Sequence, residues 1–482
     1  MNEKDELHKN WTLLAVCLGT FMLIVDMTIV VVALPKISVS LHTSFSEVQW
    51  TVDAYALSLA SLLLPSGSLA DILGRRRVFA AGLAIFTLGS LLCALSTSGT
   101  ELVLFRVFQG IGGATIFATS LALLAQTFHG RERGQAFGIW GVVIGAAGGT
   151  GPLLGGLLTT ELSWRWIFYV NLPLGVLAIF ITLTCVKEFK LPHARRIDFA
   201  GFAVFAAALF CLVYGLIESS TRGWGSTLVV AMLAIAVVLL ISFPLLERAL
   251  EQPMFDLRLF RKPTFVGGAI AAFGINSTIY GLLLYLTLYL QDDLHTSPLG
   301  AGLRLALVTV SSMLTGLPAG RLSSRVPVRW LIAPGLLLIG VGLLLMRGIS
   351  ADSAWTHLIA GFIIAGAGTG LVNAPLASTA IGVVAPQDAG MASGINSTFR
   401  QVGIAVAIAA LGSIFSTKLA HATPATLGVH YASAMNSVLL IGGITAIVAA
   451  VLTVPLIRQR DFLPHGGPQS DAQTPALAET AT

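Results

Sequence analysis

Fourteen apolar runs, each about as long as a bilayer is thick, divide this chain of 482 residues. They lie near 11–34, 48–69, 78–97, 101–125, 135–159, 165–186, 198–217, 226–246, 263–290, 299–321, 328–347, 356–384, 392–416 and 434–456. A helix needs about 20 apolar residues to cross the hydrocarbon core, so the sequence predicts an all-α membrane protein with 14 transmembrane helices. Only 11% of the residues are charged, against roughly 25% in a soluble domain. The first run is long enough to span and lacks a small-residue cleavage site, so it is expected to stay as a helix.

Several function classes are disfavoured on the same page. No phosphate-binding loop, HExxH metal motif or nucleophile elbow occurs, which argues against an ATP-driven pump and against a membrane enzyme. No soluble signalling domain suggests a sensor or scaffold. Cys17, Cys93, Cys185 and Cys211 fall in apolar runs without metal-ligand spacing, so neither metal nor cofactor is expected. Arginines and lysines sit in short loops rather than on one basic face, so nucleic acid is not an expected partner. The lipid bilayer is.

The basic residues also orient the chain. Twenty fall in segments on the side of the N-terminus, whereas Lys36, Arg165, Arg222, Arg347 and Lys418 fall on the other. Positive charge marks the cytoplasmic side, so both termini are expected there, in a bacterial cytoplasmic (inner) membrane. The last segment, 458–482, is polar and is expected to be a disordered cytoplasmic tail.

Two ends of the chain resemble each other. Pro65-Ser66-Gly67-Ser68-Leu69 returns 253 residues later as Pro318-Ala319-Gly320-Arg321-Leu322. Gly110, Gly112, Gly134 and Gly138 return 256 residues later as Gly366, Gly368, Gly390 and Gly394. A parallel repeat of two six-helix halves is a transporter architecture, with the substrate held between the halves near the midplane. The expected division is an N-terminal bundle over 1–190, two linker helices over 191–255 and a C-terminal bundle over 256–457. The repeat is asymmetric: Asp71 aligns with Ser324 and Arg106 with Phe362, which places ionisable groups in the N-terminal half.

Four motifs resemble the Major Facilitator Superfamily, in its fourteen-spanner drug:proton antiporter branch (the EmrB/QacA type). Gly67-Ser-Leu-Ala-Asp71-Ile-Leu-Gly74-Arg75-Arg76-Arg77 is similar to the loop between spans two and three. Leu102-x3-Arg106-x2-Gln109-Gly110-x-Gly112-Gly113-Ala114 is similar to the span-four motif of proton-coupled members. Gly151-Pro152-x2-Gly155-Gly156 is similar to the span-five antiporter motif, with Ala147 where a glycine is usual. Asp26-Met-Thr28-Ile-Val-Val-Val-Ala33-Leu34-Pro35 is similar to the span-one motif, with Val31 in place of the usual asparagine. The resemblance implies the superfamily fold and proton-coupled export of drugs or other small amphipathic molecules by alternating access.

Ionisable groups inside a span are functional candidates by default. Asp26, Asp53 and Arg106 all fall in the outer half at similar depth, about 8–12 Å from the span ends at 1.5 Å per residue. Burial opposes ionisation of a carboxylate and a nearby arginine favours it, so proton coupling is expected of Asp26 first and Asp53 second, with Arg106 as countercharge. Gly67, Asp71, Gly74, Arg75 and Arg76 form either a conformational latch or a basic loop that only sets topology. Gly151, Pro152, Gly155 and Gly156 either seal the outer path or serve ordinary helix packing. Asn276, Tyr280, Asn373, Asn396 and Arg400 are candidates for a substrate cavity, or for polar contacts between helices. Protons and a small amphipathic or cationic substrate are the expected partners; the sequence does not decide whether a periplasmic adaptor is needed. The alternative to a drug exporter is a dedicated exporter of one endogenous metabolite or antibiotic.

Overall fold

The computed structural model describes residues 3–128, 130–189, 198–250, 253, 255–323, 325–384, 389–420, 422–423 and 425–462. Ser324, the expected counterpart of Asp71, lies outside these, as does the expected tail from 463 onward. The described part is helical, with no strand among the described residues. Within lipid no water can satisfy a backbone amide, so each spanning segment closes its hydrogen bonds internally.

The helices are α1 (Glu3–Leu41), α2 (Phe45–Leu73), α3 (Arg75–Leu95), α4 (Gly99–Thr127), α5 (Gly130–Glu161), α6 (Trp166–Tyr169) and α7 (Asn171–Cys185). There follow α8 (Phe199–Arg222), α9 (Thr227–Ala249), α10 (Pro263–Ile275), α11 (Gly281–Leu288), α12 (Pro298–Leu322), α13 (Arg329–Leu345), α14 (Ile359–Gly382), α15 (Ala389–Leu419) and α16 (Leu427–Leu456). Among the described residues thirteen stretches are long and apolar enough to cross a membrane, and Arg329–Leu345 is a shorter apolar helix. Their exposed side chains are apolar, as on α9, where Val230, Val237, Val238, Ile241 and Leu245 face outward. This is a multi-pass membrane protein.

The repeat governs packing. Ser44 caps α2 and Ser297, 253 residues on, caps α12, each accepting from a backbone amide three residues later. A side chain on Gly110 would strike Tyr55 of α2, and one on Gly366 would strike Val308 of α12. Gly89 lies against Gln109 as Gly342 lies against Ala365. Small residues at these crossings let backbones approach where lipid supplies no hydrophobic drive between helices. Equivalence fails at the end of the second glycine set, because Gly138 faces open space whereas Gly394 meets Leu64.

Two features depart from the expected spans. The run near 263–290 is not one regular helix: π-helical turns at Asn276–Tyr280 and Tyr289–Asp293 interrupt it. The expected disordered tail also begins too early. Residues Gln459–Asp461 form a 3-10 turn, and Asp461 accepts from the Thr264 hydroxyl at 2.7 Å, which pins this turn to the start of α10.

Helices α8 and α9 pack on each other, and α8 lies across the seam between α2 and α15. Trp50 of α2 rests 5.9 Å from Phe210 and 6.1 Å from Tyr214, ring to ring, while Ser219 and Ser413 of α15 share a 2.7 Å hydrogen bond.

Candidate functional site

Asp26 on α1 and Arg106 on α4 meet in the N-terminal half. Arg106 Nη1 lies 2.5 Å from Asp26 Oδ2, with both side chains buried (1% and 0% exposed). Gln109, one turn beyond Arg106, accepts from Nη1 at 2.6 Å and donates to Asp26 Oδ1 at 2.8 Å. Asn171 donates to the same carboxylate oxygen at 3.2 Å, and Ser90 accepts from both amides, at 2.8 Å from Gln109 and 3.3 Å from Asn171. Arg106 Nε donates to the Thr51 carbonyl at 3.0 Å, and its guanidinium lies 4.1 Å above the Tyr55 ring. An ion pair this deep repays its desolvation only when the remaining donors and acceptors are satisfied, and four helices supply them here.

Asp53 is equally buried but stands apart. Among the described residues neither of its oxygens has a hydrogen-bond partner. Thr51 and Tyr55 on the same helix face α4; at 100° per residue, Asp53 points roughly the opposite way. Its neighbours one turn back show where. Gln49 donates to the Ile408 carbonyl of α15 at 2.9 Å, and Trp50 packs on α8. Asp53 thus lies in the junction of α2, α8 and α15.

The glycines of the span-five motif are all in close contact. A side chain on Gly151 would strike Thr28 of α1, and one on Gly155 would strike Ile29. The other face of α5 meets α12: a Cβ on Gly156 would lie 2.6 Å from Leu299 Cα, and Gly302 lies against the Pro152 carbonyl. Beside them the Leu299 amide donates to Thr160 at 3.2 Å, and Gln291 donates to the Val32 carbonyl of α1 at 2.8 Å. Call this the far face, opposite the start of α1. Toward the start of α5, Gly138 and Gly141 have nothing near them. Along α5 the halves are therefore joined at the far face, and Gly138 and Gly141 make no such contact toward the other among the described residues.

The loop after α2 closes on its own half. Asp71, on the last turn of α2, pairs with Arg75 at 2.9 Å, and Arg75 also donates to the Ala122 carbonyl of α4 at 2.9 Å. Gly74 adopts φ +111° with Glu188 packed against it. Glu188 accepts from the Arg76 amide at 3.1 Å and lies 3.5 Å from Arg77. Gly67 has open space around it. None of these contacts reaches the C-terminal half.

The cavity candidates divide. Arg400 on α15 donates to Asn373 Oδ1 at 3.1 Å and lies 3.5 Å from Asn396 Oδ1. Tyr280 lines a void of about 20 Å³, roughly one water, together with Arg106, Tyr55 and Ile404. Asn276 stands aside, because its amide donates to the Ala272 carbonyl of its own helix at 2.9 Å. Sequence reasoning quoted Gln109 without giving it a role, and it missed Asn171, Ser90 and Glu188. Asn171 opens the second piece of a broken span, a position where a lone amide could have drawn notice.

The family model described as Major Facilitator Superfamily matches residues 16–285 and 264–480. Among curated proteins, "Multidrug resistance protein Stp" of Mycobacterium tuberculosis is 38% identical over 85% of this chain and 76% of its own length. The tetracenomycin C resistance and export protein of Streptomyces glaucescens is 33% identical (86% and 77%). The puromycin resistance protein of Streptomyces alboniger is 35% identical (84% and 81%). A solved bacterial homolog of the human lysosomal transporter Spinster, in an inward-facing and occupied conformation, shares the fold. It superposes with TM-score 0.66 at 17% identity, over 95% of this chain and 99% of that one. Two packed halves repeating one helix arrangement, a family match along nearly the whole chain and relatives of this kind lead to one assignment: the protein is a transporter, not an enzyme, and belongs to the Major Facilitator Superfamily, among its drug-efflux and resistance transporters.

Proposed function

We propose that this protein exports small amphipathic molecules, drugs and antibiotics among them, in exchange for protons across the bacterial cytoplasmic membrane. Both termini lie in the cytoplasm, and the halves over 1–190 and 256–457 rock about the space between them, with the pair over 191–255 riding on the α2–α15 seam. The arrangement described above is then the inward-facing one, closed at the far face. The names of the relatives support export, and the distribution of positive charge supports the orientation.

One observation carries the coupling: Asp26, paired with Arg106 of α4, stands on α1, the helix against which the far-face seal is built. Thr28 and Ile29, two and three residues beyond Asp26, receive Gly151 and Gly155, and the opposite face of α5 closes on α12. A proton on Asp26 cancels its charge and frees Arg106 from all but Gln109, Thr51 and the Tyr55 ring. α1 then shifts its packing on α4, and α5 carries the change to the seal. Asp53 is assigned a second proton, because an uncharged acid is the form that a partnerless junction accepts. Asp71 with Arg75 is the latch, idle across the halves here and engaged when the cytoplasmic side closes.

The energy suffices. A potential of 100 mV supplies about 2.3 kcal/mol per charge, and each pH unit adds about 1.4 kcal/mol. The test is dye efflux from proteoliposomes under an imposed pH gradient, comparing native protein with Asp26→Asn and Arg106→Ala. Loss of gradient-driven export with dye binding retained supports the assignment; unchanged export in both variants removes it. A dedicated exporter of one antibiotic is the second reading, favoured by relatives named for tetracenomycin C and puromycin. Competition by a panel of unrelated dyes separates the two. The need for a periplasmic adaptor is decided by whether the purified chain alone moves substrate.

A further inference from the structure

Arg106 on α4 and Arg400 on α15 are surrounded differently. Arg106 has a carboxylate, one amide oxygen and a backbone carbonyl around it. Arg400, two-fifths of the way along α15, has only the amide oxygens of Asn373 and Asn396. Among the described residues no acid pairs with it. Amide dipoles hold a guanidinium in place without cancelling its charge, and an unpaired charge away from water is costly.

Its position shows what could supply the missing charge. Ile404, one turn along the same face of α15, lines the void between the halves with Arg106 and Tyr280. Arg400 itself is half-buried rather than sealed, and Tyr280 lines the same void as Ile404. A guanidinium has five N–H donors in a planar fork, of which the two amide contacts use one each. The remaining edge matches two oxygens of a carboxylate, and a phenol beside it is one more donor.

We propose that Arg400, with Tyr280 beside it and Asn373 and Asn396 fixing its plane, is a receptor for an acidic group on the transported molecule. The substrate class is then amphipathic acids and zwitterions bearing a carboxylate or a comparably acidic oxygen, which narrows the small amphipathic or cationic substrate expected from sequence. This rests on the exporter reading, and it sets the acid end of the substrate in the C-terminal half, across the void from the proton pair.

Rhodamine B carries a free carboxylate and its ethyl ester does not, while the rest of the dye is the same. Fluorescence anisotropy with the purified full chain measures binding of each. Native protein is expected to prefer the acid by about tenfold or more, the scale of a charge-assisted hydrogen bond. Arg400→Gln should abolish that preference while leaving ester binding within about twofold, and Arg400→Lys should retain part of it. An equal preference in Arg400→Gln, no preference in native protein, or equal loss of both dyes in Arg400→Gln would each overturn the proposal. Export of both dyes by native proteoliposomes is measured alongside. If neither dye moves, the exporter reading fails, while the binding preference still decides the receptor.

Discussion

Gln109 bridges the partners of a buried ion pair, donating to Asp26 at 2.8 Å and accepting from Arg106 at 2.6 Å. The three side chains form a closed ring in which each charge is matched, so removing one member leaves the others exposed to the cost of burial.

Asp26 and Asp53 should therefore respond oppositely to the same substitution. Asp26→Leu strands Arg106 and is expected to destabilise the protein by about 3–5 kcal/mol. Asp53→Leu removes a carboxyl with no partner and should be neutral or stabilising. Thermal unfolding in detergent compares them; equal losses would contradict the different environments described.

Arg106→Ala should likewise cost about 3–5 kcal/mol, by leaving Asp26 buried without a countercharge. Adding Asp26→Asn to it should recover part of that loss. A double-mutant cycle measures the coupling, and additive effects would mean that the pair does not act as a unit.

Two glycines of one motif separate by conformation. Gly74 at φ +111° lies outside the range other residues prefer, and Gly74→Ala should cost about 1–2 kcal/mol. Gly67 sits inside α2 with open space around it, so Gly67→Ala should be neutral or stabilise by up to about 1 kcal/mol. Paired unfolding curves read the contrast.

Packing at the far-face seal is tight enough to test. A side chain at Gly156 meets the Leu299 backbone, and such overpacking costs about 1–3 kcal/mol. Cysteines at Thr160 and Leu299 should cross-link readily, and adding Gly156→Val should lower the yield at least about fivefold. An unchanged yield would mean that α5 and α12 do not close there.

Sequence carried the fold class because lipid permits so few solutions: apolar runs of that length read as membrane-crossing helices. Depth was legible too, and it brought Asp26 to Arg106. Azimuth was not. Asp53 shares their depth, but its place between Thr51 and Tyr55 turns it to the opposite side of α2, a fact that emerges only once α4 is seen to pack on those two residues. Asn276 donates to the Ala272 carbonyl of its own helix, since an amide at a π-helical turn can reach a backbone oxygen one turn back. Asn171 and Glu188 escaped because their partners are distant in sequence, at Asp26 and at Arg76.

The central claim is that Asp26 exchanges a proton as substrate binds. Proton release on adding rhodamine B to the purified protein in weakly buffered detergent reads it directly. Native protein should release about one proton more per bound dye than Asp26→Asn, with dye affinity similar in both. Equal release from the two would contradict it.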